Sequence, residues 1–314
     1  MTTLHLEARQ DEPWEQGISH ELARSRKARI SKLRYELGFD LGKNRDEVRG
    51  TARVHFELED AKRPLVLDFD GIELGSLSIN GTAPGDTRVR RINNHHVIDA
   101  SLLRSGKNTV SASFRSRVAA TGTPLTSYRD KTQGDEYLYS LLVPADAHRL
   151  FPCFDQPDLK GSIRLTLTVP KGWTAVANAA GDGNPTVLED GRVSFKFKES
   201  KAISTYLMAF AAGPFRVLRA TEPDEDRPMQ IYVRPSKAEM LDAQLLLDMH
   251  EKSLAWCERY FGMGYPFGKL DIVLVPGFPY GGMEHAGAIF YRESALVFDH
   301  EPTEVEKVRR STLI

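Results

Sequence analysis

The chain has 314 residues, room for about two domains at the usual one per ~100–200 residues, and is 41% hydrophobic and 27% charged. A formal net charge of −1 excludes a nucleic-acid binder that relies on neutralising phosphates. Only Cys153 and Cys257 could form a bridge, which excludes a disulfide framework; the absence of an apolar leader or a run of about eighteen apolar residues gives the expectation of a cytoplasmic chain with no membrane span.

Residues 1–30 read as an N-terminal extension, and the basic run Arg24-Ser25-Arg26-Lys27-Ala28-Arg29 is expected to be a solvated face. Residues 31–213 then alternate in short runs. Arg53 to Leu58, Arg164 to Val169 and Val193 to Phe197 each present one apolar and one polar face, and Gly or Pro-Gly turns separate them. Many short strands without a long helix predict a β-sandwich or a large curved sheet. Asn80-Gly81-Thr82 fits a glycosylation sequon but is better read as an Asn-Gly hairpin. Asp68 and Asp70 share one face of a strand, a paired-carboxylate arrangement that is usually the solvated side of an edge. His95 and His96 are adjacent, so on a strand they face opposite ways and do not share a metal.

The pattern changes over 214–314. After a strand from Met229 to Val233, Ser236-Lys237-Ala238-Glu239 predicts a capping box opening one helix that runs to Phe261 and stops at Gly262, with Leu247, Leu254 and Phe261 on its packed face. Strand-like runs follow at Lys269 to Val275 and Ala288 to Phe290. A second helix begins at Glu301-Pro302, and its apolar stripe of Val305, Val308, Thr312 and Leu313 meets no Gly, Asn or Pro stop signal. That ending gives the expectation of the front part of a longer protein.

Between the last two strand-like runs lies Tyr280-Gly281-Gly282-Met283-Glu284-His285, the most permissive backbone in the chain beside an acid and an imidazole. By itself this is compatible with a glycine turn flanked by solvated Glu284 and His285. It resembles, however, the Gly-x-Met-Glu-Asn signature of the aminopeptidase N family of zinc metallopeptidases, which includes the leukotriene hydrolases. Tyr137 to Pro157, YLYSLLVPADAHRLFPCFDQP, resembles the same family's Phe-Pro-Cys-Phe-Asp-Glu-Pro block. The resemblance implies a saddle-like β domain followed by the start of a thermolysin-like α/β catalytic domain, a peptide substrate with a free N-terminus, and zinc in the full-length protein. It also implies that Tyr280, Gly281, Gly282, Met283, Glu284 and His285 bind substrate. The chemistry agrees: glycines without Cβ let a visiting strand approach and permit unusual dihedrals, and Glu284 can pair with its α-ammonium.

Two departures stand out. His285 replaces the usual Asn, leaving a polar side chain for orientation that titrates near neutral pH. Val143 stands where the family carries a Gln or Glu for the substrate amine, so Glu284 acts alone or amine recognition is relaxed. The zinc motif His-Glu-x-x-His is not found, because the fourth residue after His20, His250 and His300 is Arg24, Leu254 and Glu304. No metal is therefore expected in this chain and no hydrolysis by it alone, with no catalytic residue among its 314. A noncatalytic binding module on the same scaffold fits the same residues.

Overall fold

The computed structural model describes residues 17–314 apart from 86 and 221–226; the first sixteen residues of the N-terminal extension lie outside the described residues. Strands dominate. The largest sheet has eleven strands, running Thr174–Ala177, Phe210–Gly213, Glu136–Ser140, Leu125–Arg129, Gly106–Ala119, Glu47–Leu58, Ile30–Asp40, Ser162–Val169, Val193–Lys196, Thr186–Val187, with Glu73–Ile79 pairing beside Gly106–Ala119. Period-two alternation makes this sheet one-sided: along Ile30–Asp40, Tyr35, Leu37 and Phe39 are buried while the residues between them are not. Its apolar face joins Leu65, Leu67, Phe69 and Ile98, contributed by or next to a three-stranded sheet of Leu65–Asp68, His95–Ile98 and Val89–Ile92, in one core. The result is the sandwich expected from the alternating runs. The Asn80-Gly81 turn forms as expected, with φ of 54° and 82° and an Ile79–Thr82 bridge, and the Asn80 side chain is occupied by Leu102, Asn108 and Thr109.

The chain passes to a different sheet between Gly213 and Arg216. Its five strands run in the order Arg216–Arg219, Gln230–Val233, Asp271–Val275, Ala288–Arg292, Gly282–Met283. The inner three are parallel, and Asp271–Val275 is buried throughout, as a strand covered on both faces must be. The helix Ala243–Phe261 covers one face through Leu246, Leu247 and His250. No helix among the described residues is long and apolar enough to cross a membrane.

Several expectations need correction. The basic run is not a solvated face, because the helix His20–Arg29 divides it by its own period: Arg24 and Lys27 are exposed, while Arg26 and Arg29 are buried. Arg26 makes a bidentate pair with Asp68, Nη1 to Oδ2 at 2.8 Å and Nη2 to Oδ1 at 2.6 Å, and donates to the Val66 carbonyl. Arg29 donates to the Pro64, Asp60 and Arg63 carbonyls. Asp68 is consequently no solvated carboxylate. Burial works against its charge, but Arg26, His95 at 2.7 Å and the Asp155 amide outweigh that and hold its pKa below the ordinary value. Asp70 is exposed and pairs with Arg91 instead.

The single helix expected from Ser236-x-x-Glu239 is two. A short turn, Pro235–Ala238, precedes Ala243–Phe261, whose N-cap is Asp242 accepting from the Leu245 amide at 3.0 Å; Glu239 pairs with Arg216. The expected packed stripe also fails at its far end, where Phe261 is 68% exposed. Gly262 does stop the helix, in the left-handed conformation at φ 66°. The second helix is Glu304–Leu313, opened by a Thr303–Glu306 capping box.

The Phe-Pro-Cys-Phe-Asp block is the seam of the β layers. Phe151, Cys153 and Phe154 are fully buried, and Asp155 accepts from the His148 amide and Nδ1 and from Thr205 Oγ1. Arg26→Met would leave Asp68 charged, buried and short of its bidentate partner, which costs about 3–5 kcal/mol, whereas Arg24→Met on the exposed side should stay within about 0.5 kcal/mol. Urea unfolding of both variants checks this; equal shifts would contradict the split.

Candidate functional site

The Gly282–Met283 strand is the outermost of its sheet, paired antiparallel to Tyr291 and Phe290. Among the described residues no strand pairs with its other side, so its main chain is an open edge. Met283 is buried, Tyr280 is 46% exposed, and Glu284, immediately after the strand, is exposed and carries no hydrogen bond or ion pair among the described residues. An unpaired acid at the end of an open strand edge can take a cation that arrives with a main chain.

Of the two purposes expected of the glycines, that of permitting unusual dihedrals is not met. Neither Gly281 nor Gly282 has positive φ, so neither is needed for unusual dihedrals. A Cβ on Gly281 would stand 2.9 Å from Leu313 Cδ1, and one on Gly282 2.9 Å from Tyr291 Cδ1. Their missing side chains admit the Glu304–Leu313 helix and the neighbouring strand. Tyr291 is itself held by His250: the Nδ1 proton goes to the Leu246 carbonyl at 2.8 Å, leaving Nε2 to accept from the Tyr291 hydroxyl at 3.0 Å. The approach to the edge is fixed by Arg292, which donates to the Phe278 and Pro279 carbonyls at 2.8 and 2.6 Å.

His285 does not sit at the surface beside Glu284. Its ring is 1% exposed, edge-on to Phe290 at 4.8 Å, and neither nitrogen has a hydrogen-bond partner among the described residues. Burial pushes its pKa down to about 3, so it stays neutral where an exposed imidazole would titrate. Val143 packs, partly buried, against the apolar cluster that contains Phe278 and Met283.

Beyond the signature, Ala286 and Gly287 turn the chain into Ala288–Arg292. The turn is held by residues sequence reasoning did not single out: Asn178, Tyr265 and the buried pair Lys269–Asp271. Burial lowers the Lys269 pKa, with the Asp271 carboxylate at 2.7 Å opposing it. A second buried group ties the two sheets: Arg234 pairs bidentately with Glu293, at 2.7 and 2.5 Å, and with Asp130. The Tyr139 hydroxyl adds a bond to the Pro276 carbonyl at 2.5 Å. No cluster of three or more His, Cys, Asp or Glu capable of holding a metal occurs among the described residues; His300 bonds Asp299 and Glu306 on the exposed side of the Thr303-capped helix start.

Residues 31–207 match the family model described as Peptidase M1 N-terminal domain, and residues 245–314 match the Peptidase family M1 domain. The chain belongs to peptidase family M1. Among curated relatives, it is 29% identical over 303 residues to an aminopeptidase N of Streptomyces lividans, covering 95% of this chain and 34% of that protein. A leucyl aminopeptidase of Saccharolobus solfataricus is 28% identical over 291 residues, 90% of this chain and 34% of the relative. The rat aminopeptidase N is 25% identical over 278 residues, 83% and 29% respectively. The chain thus spans about a third of the length of these M1 peptidases. Both signature blocks lie within the M1 matches, and the β-sandwich is the M1 N-terminal domain.

The buried imidazole has a measurable consequence. An unfolded His285 binds a proton near pH 6.5, the folded one only near 3, so stability rises with pH across that window and is lost as pH falls through it. His285→Phe should reduce the slope of unfolding free energy against pH between about 4 and 6 by up to ~1.4 kcal/mol per pH unit. Urea midpoints across that range test this, and an unchanged slope would show that the ring is solvated.

Proposed function

We propose that this chain forms the β domain and the amine-recognising edge of a zinc-dependent aminopeptidase, which removes N-terminal residues from peptides. The observation that supports this reading is the exposed Glu284, without a partner among the described residues, at the end of the open Gly282–Met283 edge. An extended peptide adds to the edge by main-chain hydrogen bonds, which are indifferent to its side chains. Glu284 meets the α-ammonium and so fixes how many residues lie beyond it, which makes the cut an exopeptidase cut. A charge-assisted hydrogen bond of this kind contributes about 1.5–3 kcal/mol, enough to choose the register though not to bind tightly by itself.

In this reading Glu284 works without help from the side chain at position 143, since that of Val143 offers no acceptor and packs among hydrocarbon. His285 adds no competing positive charge, because its buried ring stays neutral. Gly281, Gly282 and Met283 supply main chain and packing, and Tyr280 an exposed ring beside the incoming residue. The zinc that the family resemblance implies does not fit the donors of this chain, which do not converge anywhere among the described residues, so no step is routed through it here. The chain alone binds and does not hydrolyse. That follows from the missing His-Glu-x-x-His, whose two imidazoles and general base the hydrolytic step needs.

In a protein carrying this chain together with a His-Glu-x-x-His segment, Glu284→Ala should raise KM for aminoacyl amides with a free amine about 10–100-fold and leave N-acetylated ones nearly unchanged. Steady-state kinetics on both substrate types check this. Equal losses on the two would refute the role of Glu284 as amine anchor.

A further inference from the structure

Asn178 follows the Thr174–Ala177 strand of the large sheet, yet its side chain reaches the turn just after the signature. It is 8% exposed and every polar group on its amide is used. Nδ2 donates to the Leu207 carbonyl at 2.9 Å and to the Ala286 carbonyl at 2.8 Å, while Oδ1 accepts the Ala209 amide at 2.7 Å. One side chain therefore joins two segments of the β layers to the residue two places after Glu284. The next residue closes the fit: Gly287 has φ +77°, and a Cβ there would lie 2.1 Å from the Asn178 carbonyl oxygen. From the other side the Gly287 amide donates to the Tyr265 hydroxyl at 2.9 Å, and its carbonyl accepts from Lys269 Nζ at 2.6 Å.

A two-residue strand has too few ladder bonds to hold its own end still, so whatever grips the following turn decides where the next carboxylate stands. We propose that Asn178 is a positioning residue for amine recognition, its side-chain amide seating the Ala286 turn so that Glu284 stands where a peptide ammonium arrives at the edge. This rests on the reading of Glu284 given above. Coupling of this kind makes the β layers part of the recognition device, because a shift of the Asn178 segment is passed to Glu284 through two peptide units.

Asn178→Asp keeps the acceptor for Ala209 and the shape, but turns a carboxylate oxygen toward the Ala286 carbonyl. Asn178→Ser removes the reach to Ala286 without adding charge. The 314-residue chain and its variants are titrated by ligand-observed NMR with the tripeptide amide Leu-Gly-Gly-NH2 and its N-acetyl form, and hydrogen exchange is followed across the 278–292 segment. Either variant should weaken the free-amine peptide about tenfold, leave the acetylated one unchanged, and speed exchange at 283–288 while the Asp271–Val275 core stays protected. A free-amine preference that is lost in Glu284→Gln but retained in both Asn178 variants would overturn this proposal alone. Equal binding of the two peptides by the unsubstituted chain would overturn the reading of Glu284, and this proposal with it.

Discussion

Buried polar clasps between the β layers and the five-stranded sheet are the constraint on which everything else depends. Arg234 sits between Asp130 on one side and Glu293 on the other, all three nearly out of solvent. Such a group is worth little when intact, because desolvating three charges cancels most of their attraction. It is costly to break, since the remaining charge has nowhere to go. That asymmetry makes it a register pin. Glu293 directly follows Arg292, whose guanidinium holds the Phe278–Pro279 carbonyls, so the same pin fixes both ends of the segment that carries Glu284. Asn178 and Tyr139 add neutral bonds from the β layers to the same neighbourhood.

An open edge suits recognition because it leaves main-chain groups unpaired, and for the same reason it is poorly held. Here the two demands are met by different residues. The Gly282–Met283 main chain stays open, while the side chains of Asn178 and Arg292 lock the loops on either side of it. The small residues belong to this division of labour: Gly281 and Gly282 give their space to Leu313 and Tyr291, so the edge is backed by packed hydrocarbon. Val143 and His285 fit the same picture, one apolar and one kept neutral by burial, so neither adds a charge beside Glu284.

What could be read from the sequence was what local rules decide. Alternation gave the strands, Asn80-Gly81 the hairpin and Gly262 the helix stop, because a residue's own φ/ψ preference or period settles each. What could not be read depended on partners far along the chain. Arg26 looks like any surface arginine until Asp68, 42 residues away, is folded against it, and Asn178 meets Ala286 across 108 residues. His285 was hidden for a local reason: adjacency to an exposed Glu284 suggests exposure, yet the chain turns after Met283, whose carbonyl accepts the His285 amide at 2.9 Å, and the ring is set against Phe290 on the buried side. The capping signal at Ser236 failed because Ser236 lies inside the short helix, behind the Arg234 N-cap, and Glu239 pairs with Arg216 instead of closing a box. The Phe-Pro-Cys-Phe-Asp block marked the family before its physical task, closing the seam through Asp155 and Thr205, was visible.

The central claim is that Glu284 receives the charged start of a peptide lying along the Gly282–Met283 edge. A crystal structure of this chain with an unblocked peptide bound tests it most directly. The account requires the α-ammonium within about 3 Å of the Glu284 carboxylate and the peptide main chain bonded to the open side of that strand. An ammonium held elsewhere, or a peptide that leaves this edge unpaired, would contradict it.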